Sequence, residues 1–261
     1  MELSLFLSRH QIYRMSKEKI LSNKFGYHLS KIAPMNSNIS IKLKNGLKFI
    51  VRAKTMDRSV LKEVWIKEIY NQHGVRVEKG DTVIDIGGHV GMFSIYAAHL
   101  SETGKVYAFE PFIENFKRLE NHKKINNKEN LFVFNKGVSS TEGTQTLYLS
   151  PDDNTGGHSL HLKTKSENKI EIQTVNLISF CEREKIEKID FLKLDCEGAE
   201  FEIVKSSEPI LKKISKIVME CHPFGNNTCD EMVAILERNG FIVIREKNND
   251  GSGIEMLYCK K

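Results

Sequence analysis

The chain has 261 residues, which fits one large domain or a domain with an appended N-terminal element. With 40% hydrophobic and 28% charged residues, its composition is that of an ordinary globular protein, and no apolar run is long enough to span a bilayer. The N-terminus lacks a signal-peptide cleavage pattern, and the five cysteines form no Cys-x-x-Cys pair. The sequence therefore argues against a disulfide framework and a structural zinc site, and it predicts a cytoplasmic protein.

Positive charge is concentrated in the first 60 residues, which contain twelve Lys and Arg residues against three Asp and Glu residues. Their net charge of +9 leaves −4 for the remainder, because the whole chain carries +5. Such a segment can contact a polyanion, a membrane surface or an acidic glycan, although a solvated basic face is the commoner explanation.

The N-terminal part is predicted to be an extension that precedes the main sheet. Apolar and basic residues at helical spacing predict helices in residues 1–33, and alternation about Asn45-Gly46 predicts a β-hairpin over residues 39–51. Residues 60–70 have a broad apolar helical face that would pack on the following sheet. We therefore expect a cap or extension in residues 1–78, which is also the candidate for homo-oligomer contacts, and a main domain in residues 79–261.

A strand, a glycine-rich turn and a helix follow one another at the start of the main domain. The β-branched run at residues 83–86 predicts a buried strand, the glycines predict a tight turn, and residues 92–100 have helical apolar spacing. Glycines allow a ligand to approach closely, and a helix N-terminus offers unpaired N–H groups. The pattern predicts a nucleotide-like ligand, and the alternative is a strand-to-helix turn without one. The glycines concerned are Gly87, Gly88 and Gly91.

The turn matches neither of the two common phosphate-binding motifs, because it reads Asp-x-Gly-Gly-x-x-Gly with no following Lys. Asp85 at the end of the strand would repel a phosphate and attract a cation. S-adenosylmethionine has a sulfonium and an ammonium group and no phosphate. We therefore expect S-adenosylmethionine to be the ligand of this turn.

From residue 80 onward strands alternate with helices, which predicts parallel connections and a sheet covered on both faces. In such sheets, ligands bind beyond the carboxyl ends of the strands. Glu110 ends the second strand, 25 residues after Asp85, and is placed to bind both hydroxyls of a ribose. Further strands are predicted at residues 106–110, 131–135, 144–149, 170–175, 191–195, 216–220, 241–245 and 256–259, and helices at residues 112–126, near 200–206 and at 230–239.

The run Asp195-Cys-Glu-Gly-Ala-Glu200 closely resembles the signature of the FkbM-like methyltransferases, which are class I enzymes that use S-adenosylmethionine. The glycine turn, Phe109-Glu110-Pro111 and Lys136-Gly137-Val138-Ser139 follow in that family's order and spacing, and the resemblance covers roughly residues 40–260. It implies an α/β, Rossmann-like fold with a seven-stranded, mostly parallel sheet whose last strand is reversed. It also implies an O-methyltransferase that acts on a hydroxyl of a sugar, glycan or secondary metabolite and releases S-adenosylhomocysteine, with residues 79–261 as the catalytic domain.

The pattern and the resemblance together predict a cofactor site at the carboxyl ends of the first strands. The family usually has Ala and Asn where this chain has Gly88 and His89, so the side chain beside the methionine part of the cofactor differs. The predicted cofactor-binding residues are Asp85, Gly87, Gly88, His89, Gly91, Glu110, Pro111, Asn135, Gly137 and Asp195.

Methyl transfer to an alcohol benefits from a base near the acceptor oxygen. Asp195, Glu197 and His222 are the predicted catalytic residues and the three groups placed to act as this base. His222 is the first candidate, and the two carboxylates can instead hold the acceptor or the cofactor. The alternatives are that His222 only orders its loop or binds the acceptor, and that the two carboxylates hold a divalent cation. A bound metal is not favoured. Glu200 is expected to act as a cap or ion-pair partner, and residues 154–161 form either a substrate lid or a plain flexible loop.

Two other functions fit parts of the sequence. An RNA methyltransferase would use the basic N-terminal segment to contact phosphates. The sequence lacks the Asn/Asp-Pro-Pro-Tyr/Phe motif and a recognisable RNA-binding module, so nucleic acid is not the expected partner. A non-catalytic protein that binds S-adenosylmethionine is the second alternative, and the presence of Asp85, Glu110 and Asp195 argues against it.

Overall fold

The structure is a computed structural model that describes residues 20–22, 24–151, 153–161, 168–248 and 251–261. Helices were predicted for residues 1–33, of which residues 1–19 and 23 lie outside the described residues. Helix α1 spans Lys24–Ile32 and precedes an antiparallel hairpin of strands β1 (Asn38–Lys42) and β2 (Lys48–Arg52). The hairpin predicted from the Asn45-Gly46 turn is therefore confirmed. In the described parts of the chain, no helix is long and apolar enough to cross a membrane.

The helix predicted for residues 60–70 is present in a different form. Helix α2 spans Asp57–Lys62 and continues as a π-helical turn over Glu63–Lys67. The segment ends because Glu68 adopts a left-handed conformation, with φ of 53°. The π turn buries three successive side chains, those of Val64, Trp65 and Ile66, which accounts for the broad apolar face in the sequence.

A seven-stranded sheet forms the centre of the molecule. Its strands are β3 (Val83–Ile86), β4 (Val106–Phe109), β5 (Leu131–Phe134), β9 (Ile189–Leu194), β10 (Ile214–Cys221), β11 (Ile242–Lys247) and β12 (Glu255–Lys260). In the sheet they lie in the order β11-β12-β10-β9-β3-β4-β5. Strand β12 runs antiparallel to both of its neighbours, and the pairs from β10 to β5 are parallel, which confirms the predicted α/β sheet with a reversed last strand.

Helices cover both faces of this sheet. They are α3 (Met92–Leu100), α4 (Ile113–Ile125), α5 (Leu177–Arg183), α6 (Glu200–Ser206) and α7 (Cys229–Arg238), and a 3₁₀ helix spans Glu208–Lys213. Alternate residues of β3 point to opposite faces. Val83 belongs to one buried apolar cluster, shared with the hairpin and α3, whereas Ile84 and Ile86 belong to the other, shared with α5, α6 and α7.

A second, three-stranded sheet lies between β5 and α5 in the chain, and its strands are β6 (Gly137–Val138), β7 (Gly143–Tyr148) and β8 (Lys169–Val175). Strands β7 and β8 pair antiparallel, as predicted for residues 144–149 and 170–175. Asn176 then begins α5, because its side chain accepts hydrogen bonds from Ile178 N and Ser179 N. This sheet carries the polar loop of residues 153–161 towards the end of the main sheet where the strands β3, β4, β9 and β10 terminate.

Candidate active site

A cavity of about 760 Å³ opens beyond the carboxyl ends of β3, β4, β9 and β10. The strand order reverses between β3 and β9, which is the position where open α/β sheets bind their ligands. The volume of the cavity suits a small-molecule ligand. Among the residues predicted from sequence, those that line the cavity are Gly87, Gly88, His89, Glu110, Pro111, Gly137, Asp195, Glu197 and His222, whereas Asp85, Gly91 and Asn135 do not line it.

The glycine turn is held by the main chain of the neighbouring strands. Gly87 N and Gly88 N both donate to the carbonyl of Phe109 at the end of β4. Gly87 has a φ of 83°, and a Cβ on it would overlap the main-chain oxygen of Asp195. Gly91 has a φ of 88° and packs against Leu119. Gly87 and Gly91 are therefore required by the close approach of β9 and α4, respectively.

Asp85 lies beneath the turn, with its charge balanced inside the protein. Its Oδ1 is 3.1 Å from Lys193 Nζ, and its Oδ2 accepts a hydrogen bond of 2.6 Å from the hydroxyl of Ser94. Lys193 Nζ also donates to the carbonyl of Gly87 and lies 3.7 Å from Asp195 Oδ2. Burial alone would lower the pKa of Lys193, but Asp85 and Asp195 raise it above its ordinary value. The ammonium that neutralises Asp85 therefore comes from Lys193, which the sequence analysis missed.

Glu110 closes β4 at the opposite wall from β9. Its Oε2 accepts a hydrogen bond of 2.7 Å from His89 N, and its Oε1 accepts one of 2.9 Å from Phe112 N. Burial raises the pKa of Glu110 to about 7. Asn135 shapes the turn after β4, because its Nδ2 donates to the carbonyls of Glu110 and Pro111 at 2.9 Å each. Asn135 thus supports Glu110 from outside the cavity.

His89 connects the glycine turn to the N-terminal hairpin and to the loop after β7. Its Nε2 lies 3.0 Å from Thr155 Oγ1 and 3.6 Å from Asp57 Oδ1. Asp57 forms a buried ion pair with Arg52, with an Nη2–Oδ1 distance of 2.7 Å. Burial lowers the pKa of His89 to about 4, so its imidazole is neutral at pH 7. The Thr155 hydroxyl donates to Asp57 Oδ1, which leaves its lone pairs for the N–H of His89 Nε2.

The wall opposite Glu110 consists of acidic groups at the ends of β9 and β10. The Tyr70 hydroxyl donates to Asp195 Oδ2 at 2.7 Å. Tyr70 is buried in the apolar core, but its hydroxyl belongs to the site. Burial raises the pKa of Glu197 to about 7 and that of Glu220 to about 8, and in both cases the Asp195 carboxylate raises it further. The carboxyl groups of Asp195, Glu197 and Glu220 therefore lie close enough together to oppose each other's ionisation.

His222 is held between two glutamates. Its Nδ1 lies 3.2 Å from Glu200 Oε1, and its Nε2 lies 3.6 Å from Glu197 Oε2. Burial opposes the charged imidazole, but Glu200 and the neighbouring carboxylates raise the pKa of His222 to about 10. An imidazolium has no lone pair for an incoming proton, so the base role predicted for His222 requires prior loss of a proton from the ring.

Glu200 has the supporting role that was expected of it. Its two carboxylate oxygens accept hydrogen bonds from Cys196 N and Gly198 N, at 2.8 and 2.9 Å. The same side chain contacts His222 Nδ1 and is fully buried. Glu200 therefore holds the loop after β9 and the imidazole after β10 in one fixed arrangement.

Several curated proteins are similar to this chain. The 31-O-demethyl-FK506 methyltransferase FkbM of Streptomyces tacrolimicus is 26% identical over 75% of this chain and 85% of its own length. The hexuronic acid methyltransferase AglP of Haloferax volcanii is 26% identical over 62% of this chain and 67% of its own length. The AMB antimetabolite synthetase AmbE of Pseudomonas aeruginosa is 26% identical over 77% of this chain, which spans only 11% of AmbE.

Solved structures of methyltransferases have a similar arrangement of elements. Fibrillarin of Aeropyrum pernix, crystallised with natively bound S-adenosyl-L-methionine, aligns over 88% of this chain and 96% of its own, with a TM-score of 0.47 and 10% sequence identity. The family model of the methyltransferase FkbM domain matches residues 85–243, which include the glycine turn, Glu110, Asp195 and His222. The chain therefore belongs to the FkbM methyltransferase family, whose members are S-adenosylmethionine-dependent enzymes.

Proposed function

We propose that the chain transfers the methyl group of S-adenosylmethionine to a hydroxyl of a sugar, a glycan or a secondary metabolite. The observation that carries this proposal is that one cavity is lined both by the glycine turn and Glu110, which follow β3 and β4, and by Asp195, Glu197 and His222, which follow β9 and β10. The printed names of two relatives add support, because one acts on 31-O-demethyl-FK506 and the other on hexuronic acid.

The cofactor wall contains groups that match the polar parts of S-adenosylmethionine. Each carboxylate oxygen of Glu110 accepts one main-chain hydrogen bond and has a lone pair left for a ribose hydroxyl. Gly87, Gly88, His89, Pro111, Gly137 and Asp195 line the cavity and complete the proposed contact set. The other three predicted residues support the cavity from behind. Asp85 pairs with Lys193, Gly91 packs on α4, and Asn135 holds the turn after β4.

The acidic wall suits the acceptor. Methyl transfer is an in-line displacement, in which the acceptor oxygen forms a bond to the methyl carbon as the carbon–sulfur bond breaks. Holding the oxygen on that axis can lower the barrier by about 7–11 kcal/mol. Asp195, Glu197 and His222 offer both hydrogen-bond acceptors and a donor to an alcohol, so they can fix its orientation and receive its proton.

Calorimetry with S-adenosylmethionine and S-adenosylhomocysteine tests the cofactor half of this proposal. We expect both to bind, and we expect Glu110→Gln to weaken binding because a neutral amide is a poorer partner for two hydroxyls. Glu114→Gln is the matched control, since Glu114 is exposed at the start of α4. Absence of binding to either compound, or equal losses in the two variants, would contradict the proposal.

Release of S-adenosylhomocysteine in the presence of hydroxylated acceptors tests the acceptor half. Uronic acids and hydroxylated polyketides represent the two chemical classes, and their deoxy or already O-methylated analogues are the controls. We expect turnover only with a free hydroxyl, and we expect His222→Ala to keep cofactor affinity while losing rate. Methylation of an amine or a thiol in preference to the matching alcohol would overturn the assignment to O-methyl transfer.

A further inference from the structure

Three metal-ligating side chains converge at the acidic wall of the cavity. Asp195, Glu220 and His222 each present one ligand atom, and these three atoms lie within 4.8 Å of one another. Asp195 follows β9, and Glu220 and His222 are at the end of the adjacent strand β10. All three line the cavity, so a ligand bound there would face the space proposed for the acceptor.

The carboxylates of this cluster have free oxygens. Tyr70 and Lys193 both contact Oδ2 of Asp195, which leaves Oδ1 without a hydrogen bond from any described residue. Among the residues that the structure describes, none forms a hydrogen bond or ion pair with the Glu220 side chain. Lys193 lies 3.7 Å from Asp195 Oδ2 and is shared with Asp85 at 3.1 Å. Two neighbouring, partly buried carboxyl groups oppose each other's ionisation, and a bound cation would relieve this repulsion.

The histidine of the cluster is oriented as metal ligands usually are. Its Nδ1 faces the buried carboxylate of Glu200 at 3.2 Å, so Nε2, which lies 3.6 Å from Glu197 Oε2, is the ring nitrogen that would bind a cation in exchange for its proton. A carboxylate behind one ring nitrogen fixes the tautomer and the ring orientation of a histidine whose other nitrogen binds a metal. Glu200 is itself fixed by Cys196 N and Gly198 N, which makes this support rigid.

From these contacts we infer that Asp195, Glu220 and His222 form a binding site for a divalent cation of the Mn²⁺ class. Two carboxylates and one imidazole are a donor set that Mn²⁺ accepts, and three protein ligands leave coordination positions for water or for an acceptor oxygen. This differs from the expectation based on sequence, which did not favour a metal. The reason is that the spacing of residues 195, 220 and 222 in the chain does not show that β9 and β10 are neighbours.

The role of the cation rests on the proposed function, whereas its binding does not. A cation at this wall would hold the acceptor hydroxyl and make it more acidic. The hydroxyl proton passes to Glu197, the oxygen lone pair forms the bond to the methyl carbon, and the electrons of the carbon–sulfur bond return to sulfur as S-adenosylhomocysteine leaves.

Electron paramagnetic resonance of Mn²⁺ titrated into the tag-free protein tests the site directly, because bound Mn²⁺ loses the signal of the free ion. We expect one Mn²⁺ per chain, and at least about tenfold weaker binding in Glu220→Gln and in His222→Gln. Glu246→Gln is the matched control, since Glu246 also lines the cavity but pairs with the exposed His73. It should change Mn²⁺ affinity by less than about twofold.

Binding of S-adenosylhomocysteine to each protein is measured in parallel. A wild-type protein that binds S-adenosylhomocysteine but not Mn²⁺ would overturn the cation site and leave the proposed function standing. Binding of Mn²⁺ without any binding of S-adenosylhomocysteine would support the cation site and contradict the proposed function. Equal losses of Mn²⁺ affinity in Glu246→Gln and Glu220→Gln would also overturn the site, because they would reflect diffuse attraction to an acidic cavity.

Discussion

At the scale of single residues, the buried pair of Asp85 and Lys193 is the central electrostatic feature of the site. We expect Lys193→Met to destabilise the protein by about 3–5 kcal/mol, because it leaves Asp85 charged and buried without its counter-ion. Lys205→Met is the matched control: Lys205 pairs with Glu231 at the surface and should contribute less than about 1 kcal/mol. Urea unfolding measures both free energies, and similar values for the two variants would contradict this account.

Asp85 also shows where a prediction from sequence ends. The β-branched run at residues 83–86 correctly predicted the buried strand that carries Asp85. Local sequence could not predict its partner. Asp85 and Lys193 lie side by side on the adjacent parallel strands β3 and β9, which are more than 100 residues apart in the chain. A lysine within the apolar run of β9 was the available signal, since a buried lysine needs an anionic partner.

A second residue-scale prediction concerns Glu110 and pH. Its pKa of about 7 means that, below pH 7, the carboxyl group is mostly protonated in the free protein. Two ribose hydroxyls donate best to the ionised form, so binding must release that proton and the affinity for S-adenosylhomocysteine should fall by up to about tenfold per pH unit below 7. The charge of Lys193 lowers the pKa of Glu110, and the charge of Asp85 raises it.

Calorimetry from pH 5.5 to 8.5 measures the effect of Glu110. In Glu110→Gln the affinity should be lower at pH 8 and nearly independent of pH across this interval. A wild-type affinity that rises as the pH falls, or a variant that keeps the full pH dependence, would assign the titration to another group.

At the scale of elements, the glycine turn joins three strands within a few residues. Gly87→Ala combines a strained φ of 83° with an overlap between the new Cβ and the main chain at Asp195. Strain alone costs about 1 kcal/mol, and a clash with main chain adds about 1–3 kcal/mol because β3 and β9 must separate. We therefore expect Gly87→Ala to destabilise the protein by at least about 2 kcal/mol.

The control for Gly87→Ala is Gly46→Ala in the hairpin turn. Gly46 has a φ of 90° but nothing within 4 Å of a Cβ, so this variant isolates the strain. Chemical unfolding should place its loss near about 1 kcal/mol. If both variants lose the same free energy, the close approach of Asp195 to the turn is not a constraint on the fold.

Local signals predicted most of the elements, whereas contacts between distant elements were missed. The Asn45-Gly46 hairpin and the pairing of β7 with β8 follow from alternation and turn residues close together in the chain. The hydrogen bonds of Thr155 to His89 and Asp57 link positions 66 and 98 residues apart, and no local pattern encodes them. They show that residues 153–161 are attached to the glycine turn and to the start of α2, which was not expected of a plain flexible loop.

At the scale of the whole molecule, the hairpin and the main sheet share one apolar cluster. This cluster contains Phe49 of β2, Trp65 of the π-helical turn and Tyr96 of α3. The ring centroids of Phe49 and Trp65 are 5.5 Å apart, and those of Trp65 and Tyr96 are 4.9 Å apart. The division into an extension of residues 1–78 and a catalytic domain of residues 79–261 stays a prediction. Because the described part of the extension contributes to this common core, we expect the two parts to unfold together.

Thermal unfolding with and without S-adenosylhomocysteine tests this expectation together with the proposed cofactor site. A ligand that binds only the folded protein stabilises it by about 2.7 kcal/mol at 100 times its Kd, which corresponds to a rise in Tm of about 5–10 °C for a chain of this size. One transition should shift as a whole, since the cavity is lined by residues from the π turn and from the main sheet alike. Two transitions, of which only one responds to the ligand, would instead show that the extension folds as a separate unit.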